Sequence, residues 1–183
     1  MDNIVSIFFS LAIFMFITGL LYNLLLRNKD IQNRLNFYLD IEKKYKTTAS
    51  KTLIGQSLGG LLATEILMEN PKLFTKYIII SPSIWWDNAS LLERSPDVLN
   101  ENFSQKTNVY MAVGKEGLTP TAIPRVMEVD ANLLAEKLKS AKNKNLNVYL
   151  DYLPEEDHAT ISHQAISNAF KILYPVIKSA KDQ

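Results

Sequence analysis

The sequence predicts an α/β fold of about four parallel strands flanked by helices, preceded by an apolar N-terminal helix. Three observations predict it. Four short apolar runs, at residues 51–54, 77–80, 108–113 and 146–152, alternate with stretches of helical periodicity, and such alternation makes parallel βαβ units rather than antiparallel meanders. The hexapeptide Gly55-Gln56-Ser57-Leu58-Gly59-Gly60 joins the first run to the first helix, the setting of a sharp strand-to-helix turn that lifts a serine oxygen clear of a sheet. Residues 4–26 contain no charged side chain, and roughly 20 apolar residues suffice to cross a bilayer core as a helix.

Taken in order, the apolar segment 4–26 reads as an uncleaved membrane anchor within residues 1–28, leaving a globular part over residues 29–183. No Lys or Arg precedes the segment, and it exceeds the usual ~7–15 residue core of a signal peptide. A buried helix packed on the globular part is the alternative. Arg27, Lys29 and Arg34 follow directly, a charge bias that favours a cytoplasmic C-terminal part. Residues 31–45 place Ile31, Leu35, Tyr38 and Leu39 on one side, an amphipathic helix. The strand at 51–54 and the serine turn come next, then a helix at 61–69 stopped by Asn70-Pro71.

The run Tyr77-Ile78-Ile79-Ile80 is apolar without alternation, as suits a parallel strand covered on both faces. The connection 81–106 is long where a handful of residues is usual. It opens with Ser81-Pro82-Ser83-Ile84-Trp85-Trp86, the two tryptophans of the chain side by side. One of them anchors the loop on the core, or forms an apolar wall beside the serine, since loops at strand C-terminal ends line the pockets of open α/β sheets. A helix over 129–142 points Leu133, Leu134 and Leu138 inward, and a last helix covers about 160–179.

Composition excludes several classes of chemistry. Twenty basic and 19 acidic residues leave a net charge of +1, which gives no reason to expect a nucleic-acid partner. The absence of cysteine removes disulfides, thiolate metal sites and a cysteine nucleophile. No metal-ligating motif occurs, and Glu155-Glu156-Asp157 reads as a solvated acidic loop. No metal or other cofactor is expected.

A serine hydroxyl is a poor nucleophile until a base takes its proton. Of the two histidines, His158 follows the last strand on a loop, where the base stands when the chain order is serine, acid, histidine. His163 falls one turn into the last helix and reads as an ordinary surface residue. Glu116, in Val113-Gly114-Lys115-Glu116-Gly117, is the acid candidate on the loop after the preceding strand. A solvated turn carboxylate is its alternative. Asp130, inside a helix, and Asp157, adjacent to His158, are weaker candidates. The backbone N–H of Leu58 is the expected oxyanion donor.

With these residues in view, the chain is similar to the C-terminal half of an α/β-hydrolase of the putative esterase (esterase D-like) family, nearest to siderophore esterases acting on enterobactin and salmochelin. The resemblance rests on Leu53-Ile54-Gly55-Gln56-Ser57-Leu58-Gly59-Gly60-Leu61, on Asn70-Pro71-Lys72-Leu73-Phe74, on Ser81-Pro82-Ser83-Ile84-Trp85-Trp86 and on Asp157-His158-Ala159-Thr160. It implies Ser57 as nucleophile, His158 as base and Glu116 as acid, with Gln56, Trp85 and Trp86 at the substrate pocket. It also implies hydrolysis of carboxylic esters of small molecules without a cofactor, and often export. The family's first strands and the loop giving a second oxyanion donor have no counterpart before residue 31. Weak turnover is therefore expected, with an inactive remnant or a membrane-attached binding module as alternatives. The serine-bearing strand becomes a sheet edge, and unpaired edges template association, so self-association is expected as well.

Overall fold

The computed structural model describes residues 43–45 and 48–175. The apolar segment 4–26, the boundary at residue 28, most of the helix at 31–45 and the end of the helix at 160–179 lie outside them. Among the described residues, no helix is long and apolar enough to cross a membrane.

Four strands form one parallel sheet in the order β1 (Thr52–Gln56), β2 (Lys76–Ile80), β3 (Thr107–Gly114), β4 (Leu146–Leu153). Between and after them run α1 (Leu58–Glu69), α2 (Met127–Lys139) and α3 (Ile161–Leu173). The uninterrupted apolar run of β2 is explained by its cover. Tyr77 and Ile79 face one side, packed with Ala63, Leu67, Leu134 and Leu138 of α1 and α2. Ile78 and Ile80 face the other, against Ile161, Ala165 and Ala169 of α3. The four apolar residues of β2 are essentially inaccessible, and full burial of such a side chain contributes ~1.5–3 kcal/mol. β1 and β4 are the outer strands of the described sheet, and Ile54 on β1 is exposed.

Two expectations change. Leu133 is half exposed, because the inward stripe of α2 is Ala131, Leu134, Ala135 and Leu138. These positions recur at three- and four-residue spacing, which leaves Leu133 outside the stripe. Helix α1 starts at Leu58, ahead of the expected residue 61. Glycines 59 and 60 suggest a loop by propensity, yet packing overrides it. A Cβ on Gly60 would lie 3.0 Å from both the Ile80 carbonyl oxygen and Pro82 Cα. The 81–106 connection is irregular, with short helical turns at Trp86–Ala89, Ser90–Glu93 and Asp97–Leu99. Left-handed Asp87, Asn88 and Ala89 make up most of the first and lead directly into the second.

Candidate active site

In a parallel sheet every strand delivers its C-terminal end to the same rim. Ser57 follows β1, Ser81 and Ser83 follow β2, Glu116 follows β3 and His158 follows β4. The sheet thus gathers at one rim residues far apart in the chain.

Ser57 sits at φ 58°, ψ −121°, a backbone state that costs a non-glycine residue on the order of 1–3 kcal/mol. Its surroundings fix it there. Its N–H donates to the Ile80 carbonyl at 3.0 Å, while its own carbonyl accepts from Leu61 N and Ser83 N, each at 3.0 Å. The turn needs glycine at position 55, where a Cβ would lie 2.1 Å from the Gly59 carbonyl oxygen. At Gly59 itself a Cβ would meet nothing within 4 Å. Gly55→Ala is therefore expected to lose about 3 kcal/mol or more of stability, since backbone cannot yield as a side chain can. Gly59→Ala should be neutral or gain up to ~1 kcal/mol from helix propensity. Urea unfolding of both variants tests the contrast, and equal midpoints would refute the steric account of the turn.

His158 faces both partners. Its Nε2 lies 3.0 Å from Ser57 Oγ, and its Nδ1 lies 2.6 Å from Glu116 Oε2. The ring is 44% exposed, whereas the Glu116 side chain is only 2% exposed. A buried carboxylate needs partners, and Glu116 has them. Oε1 accepts from the Ser81 hydroxyl and from Gly114 N at 3.3 Å, and Oε2 faces the imidazole. The turn carrying Glu116 is held from α2. Glu128 Oε1 accepts the N–H of Glu116 at 2.9 Å and that of Gly117 at 3.1 Å. Gly117 is left-handed at φ 70°, a conformation natural to glycine. Lys115 N donates to the Glu156 carbonyl at 2.8 Å, which ties the acid loop to the histidine loop.

The other two carboxylate candidates are committed elsewhere. Asp130 takes a bidentate pair from Arg125, with Nε to Oδ2 at 2.8 Å and Nη2 to Oδ1 at 2.7 Å. Asp157 Oδ1 accepts from Ala159 N at 2.8 Å and Thr160 N at 3.0 Å, next to the start of α3. These backbone donors, the Ala159 N–H foremost, hold the Asp157 carboxyl below its ordinary 3.8. A depressed folded value means a contribution to stability that is complete above 3.8 and drains away as pH falls through the lowered value. Asp157→Asn should remove that component. Urea midpoints measured downward from about pH 5 are expected to fall more steeply in the unmodified chain than in the variant. Parallel curves would exclude the linkage.

A cavity of about 460 Å³ opens over Ser57 and His158, lined also by Ser83, Trp85, Leu118 and Met127 among others. Trp85 is the half-buried wall of this cavity. Trp86, 54% exposed, instead lines an adjoining groove with Ile123 and Arg125. The two indoles stand 5.8 Å apart between centroids, tilted by 55°. Gln56 does not line the cavity over Ser57: its Nε2 donates to the His158 carbonyl at 2.7 Å and its Oε1 accepts from the Ser162 hydroxyl. It clamps the histidine loop to β1. His163 is exposed in the first turn of α3. Leu58 is the first residue of α1, and an N–H at that position has no acceptor within its own helix.

Sequence reasoning missed four contributors: Ser81 and Ser83, Glu128, and the clamping role of Gln56. The serines were visible as the opening of a long loop after a buried strand. Glu128 carries no local signal, because the N–H groups that donate to it lie eleven and twelve residues back in the chain.

The chain is similar to several known proteins. Ferri-bacillibactin esterase BesA of Bacillus subtilis (strain 168) is 28% identical over 140 residues, 74% of this chain and 47% of that protein. An IroE-like serine hydrolase from Shewanella oneidensis shares the fold with a TM-score of 0.64 at 28% identity, over 75% of this chain and 44% of that one. The BES protein from Bacillus cereus has a TM-score of 0.62 at 32% identity, over 75% of this chain and 50% of that one. The chain spans about half the length of these relatives. The family described as Putative esterase matches residues 25–169, a stretch that holds the serine turn, the buried carboxylate and the histidine loop, and the chain belongs to that family.

Proposed function

We propose that this chain is a serine hydrolase of carboxylic esters, with siderophore esters as its substrate class. The observation that carries the proposal is the continuous line of contacts from Glu116 through His158 to Ser57, 2.6 and 3.0 Å, opening on a cavity. The substrate class rests on the ferri-bacillibactin esterase among its relatives. It rests also on a cavity with an indole wall suited to a flat acyl group.

The chemistry follows from the contacts. Glu116 accepts a hydrogen bond from Nδ1–H, which keeps that proton on Nδ1 and leaves Nε2 free to act as base. Ser57 Oγ–H passes its proton to Nε2 as Oγ bonds the ester carbonyl carbon, and the carbonyl π pair moves onto its oxygen. The Leu58 N–H receives that oxyanion, and one such donor contributes roughly 10²–10³ in turnover. The pair then returns, the ester C–O bond breaks, and the departing alkoxide takes the proton from Nε2. In the second half a water gives a proton to Nε2 as its oxygen bonds the acyl carbon. Ser57 Oγ leaves, recovers the proton, and a carboxylic acid is released. The buried Glu116 carboxylate beside the ring stabilises the imidazolium formed in both halves.

Fluorophosphonate labelling followed by peptide mapping tests the proposal. An adduct on Ser57 is expected. A chain that stays unlabelled, or carries the adduct elsewhere, points to a non-catalytic hydrolase domain instead.

A further inference from the structure

Ser83 stands against the reacting oxygen. Its Oγ lies 3.2 Å from Ser57 Oγ, its residue is 1% exposed, and its side chain has no other hydrogen-bond partner among the described residues. Three contacts fix its position. Ser83 N donates to the Ser57 carbonyl at 3.0 Å, Trp86 N donates to the Ser83 carbonyl at 3.0 Å, and the preceding Pro82 abuts Gly60 of α1. Ser81, two residues earlier on the same loop, bonds the carboxylate at the far end of the triad.

The imidazole decides which hydroxyl donates. The Glu116 carboxylate can only accept, so Nδ1 carries a proton, and a neutral ring then leaves Nε2 bare. Ser57 O–H therefore donates to Nε2. With that proton committed, the proton between the two serine oxygens belongs to Ser83. Ser57 Oγ then has one lone pair held by Ser83 and one left toward the cavity. At 3.2 Å the bond is longer than the usual 2.5–3.0 Å for O–H···O, so it binds weakly at rest. A charged oxygen draws a hydroxyl donor to roughly 2.5–2.7 Å. Such a contact strengthens only when charge appears on Oγ, and interactions of that kind lower a barrier.

We propose that Ser83 is a second catalytic hydroxyl, which donates to Ser57 Oγ as the bond from Oγ to the acyl carbon forms in acylation and breaks in deacylation. Ser83 keeps its proton throughout. The proton that moves is the one exchanged between Ser57 Oγ and His158 Nε2, and the electron pair on Oγ becomes the new bond and later returns. This role rests on the esterase reading above.

The test compares the full chain with Ser83→Ala, Ser83→Cys and Ser57→Ala in the rate and final extent of fluorophosphonate labelling, and in kcat and KM on a p-nitrophenyl ester. Ser83→Cys preserves shape and packing while replacing a good donor by a weak one, so it serves if Ser83→Ala fails to fold. Expected are full labelling at a rate lower by about 10- to 100-fold, somewhat below the effect of an oxyanion donor, and a matching drop in kcat with little change in KM. A serine that merely fills space would reduce the extent of labelling with the folded fraction and leave the rate of the folded molecules unchanged, and that result overturns the proposal. Labelling of Ser83→Cys at the unmodified rate overturns it too, with the esterase reading intact. An unmodified chain that reacts no better than Ser57→Ala overturns both.

Discussion

Ser57→Ala is expected to abolish ester hydrolysis, lowering kcat by roughly 10⁴- to 10⁶-fold, the scale on which loss of a serine nucleophile acts in hydrolases. The effect is the largest open to a single substitution because no other residue can form the covalent intermediate from the same place. Ser83 Oγ, 3.2 Å away, is nearest, but the His158 Nε2 that must take the proton points at Ser57. The variant should fold. Its backbone position is fixed by contacts of N–H and carbonyl groups, to Ile80, Leu61 and Ser83, none of which uses the hydroxyl. Relief of the hydroxyl leaves the strained φ of 58° in place, so a stability change beyond about 1 kcal/mol is not expected. The measurement is initial-rate hydrolysis of a p-nitrophenyl ester and of a siderophore ester, beside thermal unfolding of both proteins. Residual turnover within tenfold of the unmodified chain would falsify the assignment of Ser57.

The second large effect is expected at Glu116. Glu116→Gln preserves shape but offers an amide that can donate to Nδ1, which favours the tautomer with its proton on Nε2. Ser57 then has no acceptor for its proton, and the imidazolium loses its counter-charge. In the serine-protease triad the corresponding carboxylate-to-amide change costs about 10⁴ in kcat, and a fall of roughly 10³- to 10⁴-fold is expected here on the same physical ground. The buried setting sharpens the contrast. With only 2% of its side chain exposed, Glu116 leaves little room for water to stand in for the lost charge. KM should change little, because the carboxylate is almost wholly buried and reaches Ser57 only through the imidazole. Rates that recover at high pH would show that hydroxide can replace the base. A variant as active as the parent would remove Glu116 from the triad.

Residue pattern alone carried much of the architecture. The four apolar runs became the four strands, within a few residues at each end, because burial on both faces of a parallel sheet requires unbroken apolar stretches such as Tyr77-Ile78-Ile79-Ile80. The serine turn was equally plain, since a Cβ at position 55 has no room beside the Gly59 carbonyl. The position of His158 followed from chain order. These features are local, and local sterics and burial write themselves into adjacent residues.

Which groups would meet at the rim was not local. Position in the sequence ranks Glu116 above Asp130 and Asp157 without separating it from a solvated turn carboxylate, and only folding shows that Arg125 occupies Asp130, backbone N–H groups occupy Asp157, and the buried Glu116 carboxylate faces the imidazole. The Ser81 and Ser83 hydroxyls acquire their partners in the same way, across gaps of 35 and 26 residues. Gln56, placed at the pocket by motif, turns instead to the histidine loop 102 residues on. Parallel β-topology is the reason. It brings the C-terminal ends of strands distant in sequence to one edge, and the contacts made there depend on register and side-chain direction, which composition and spacing do not encode.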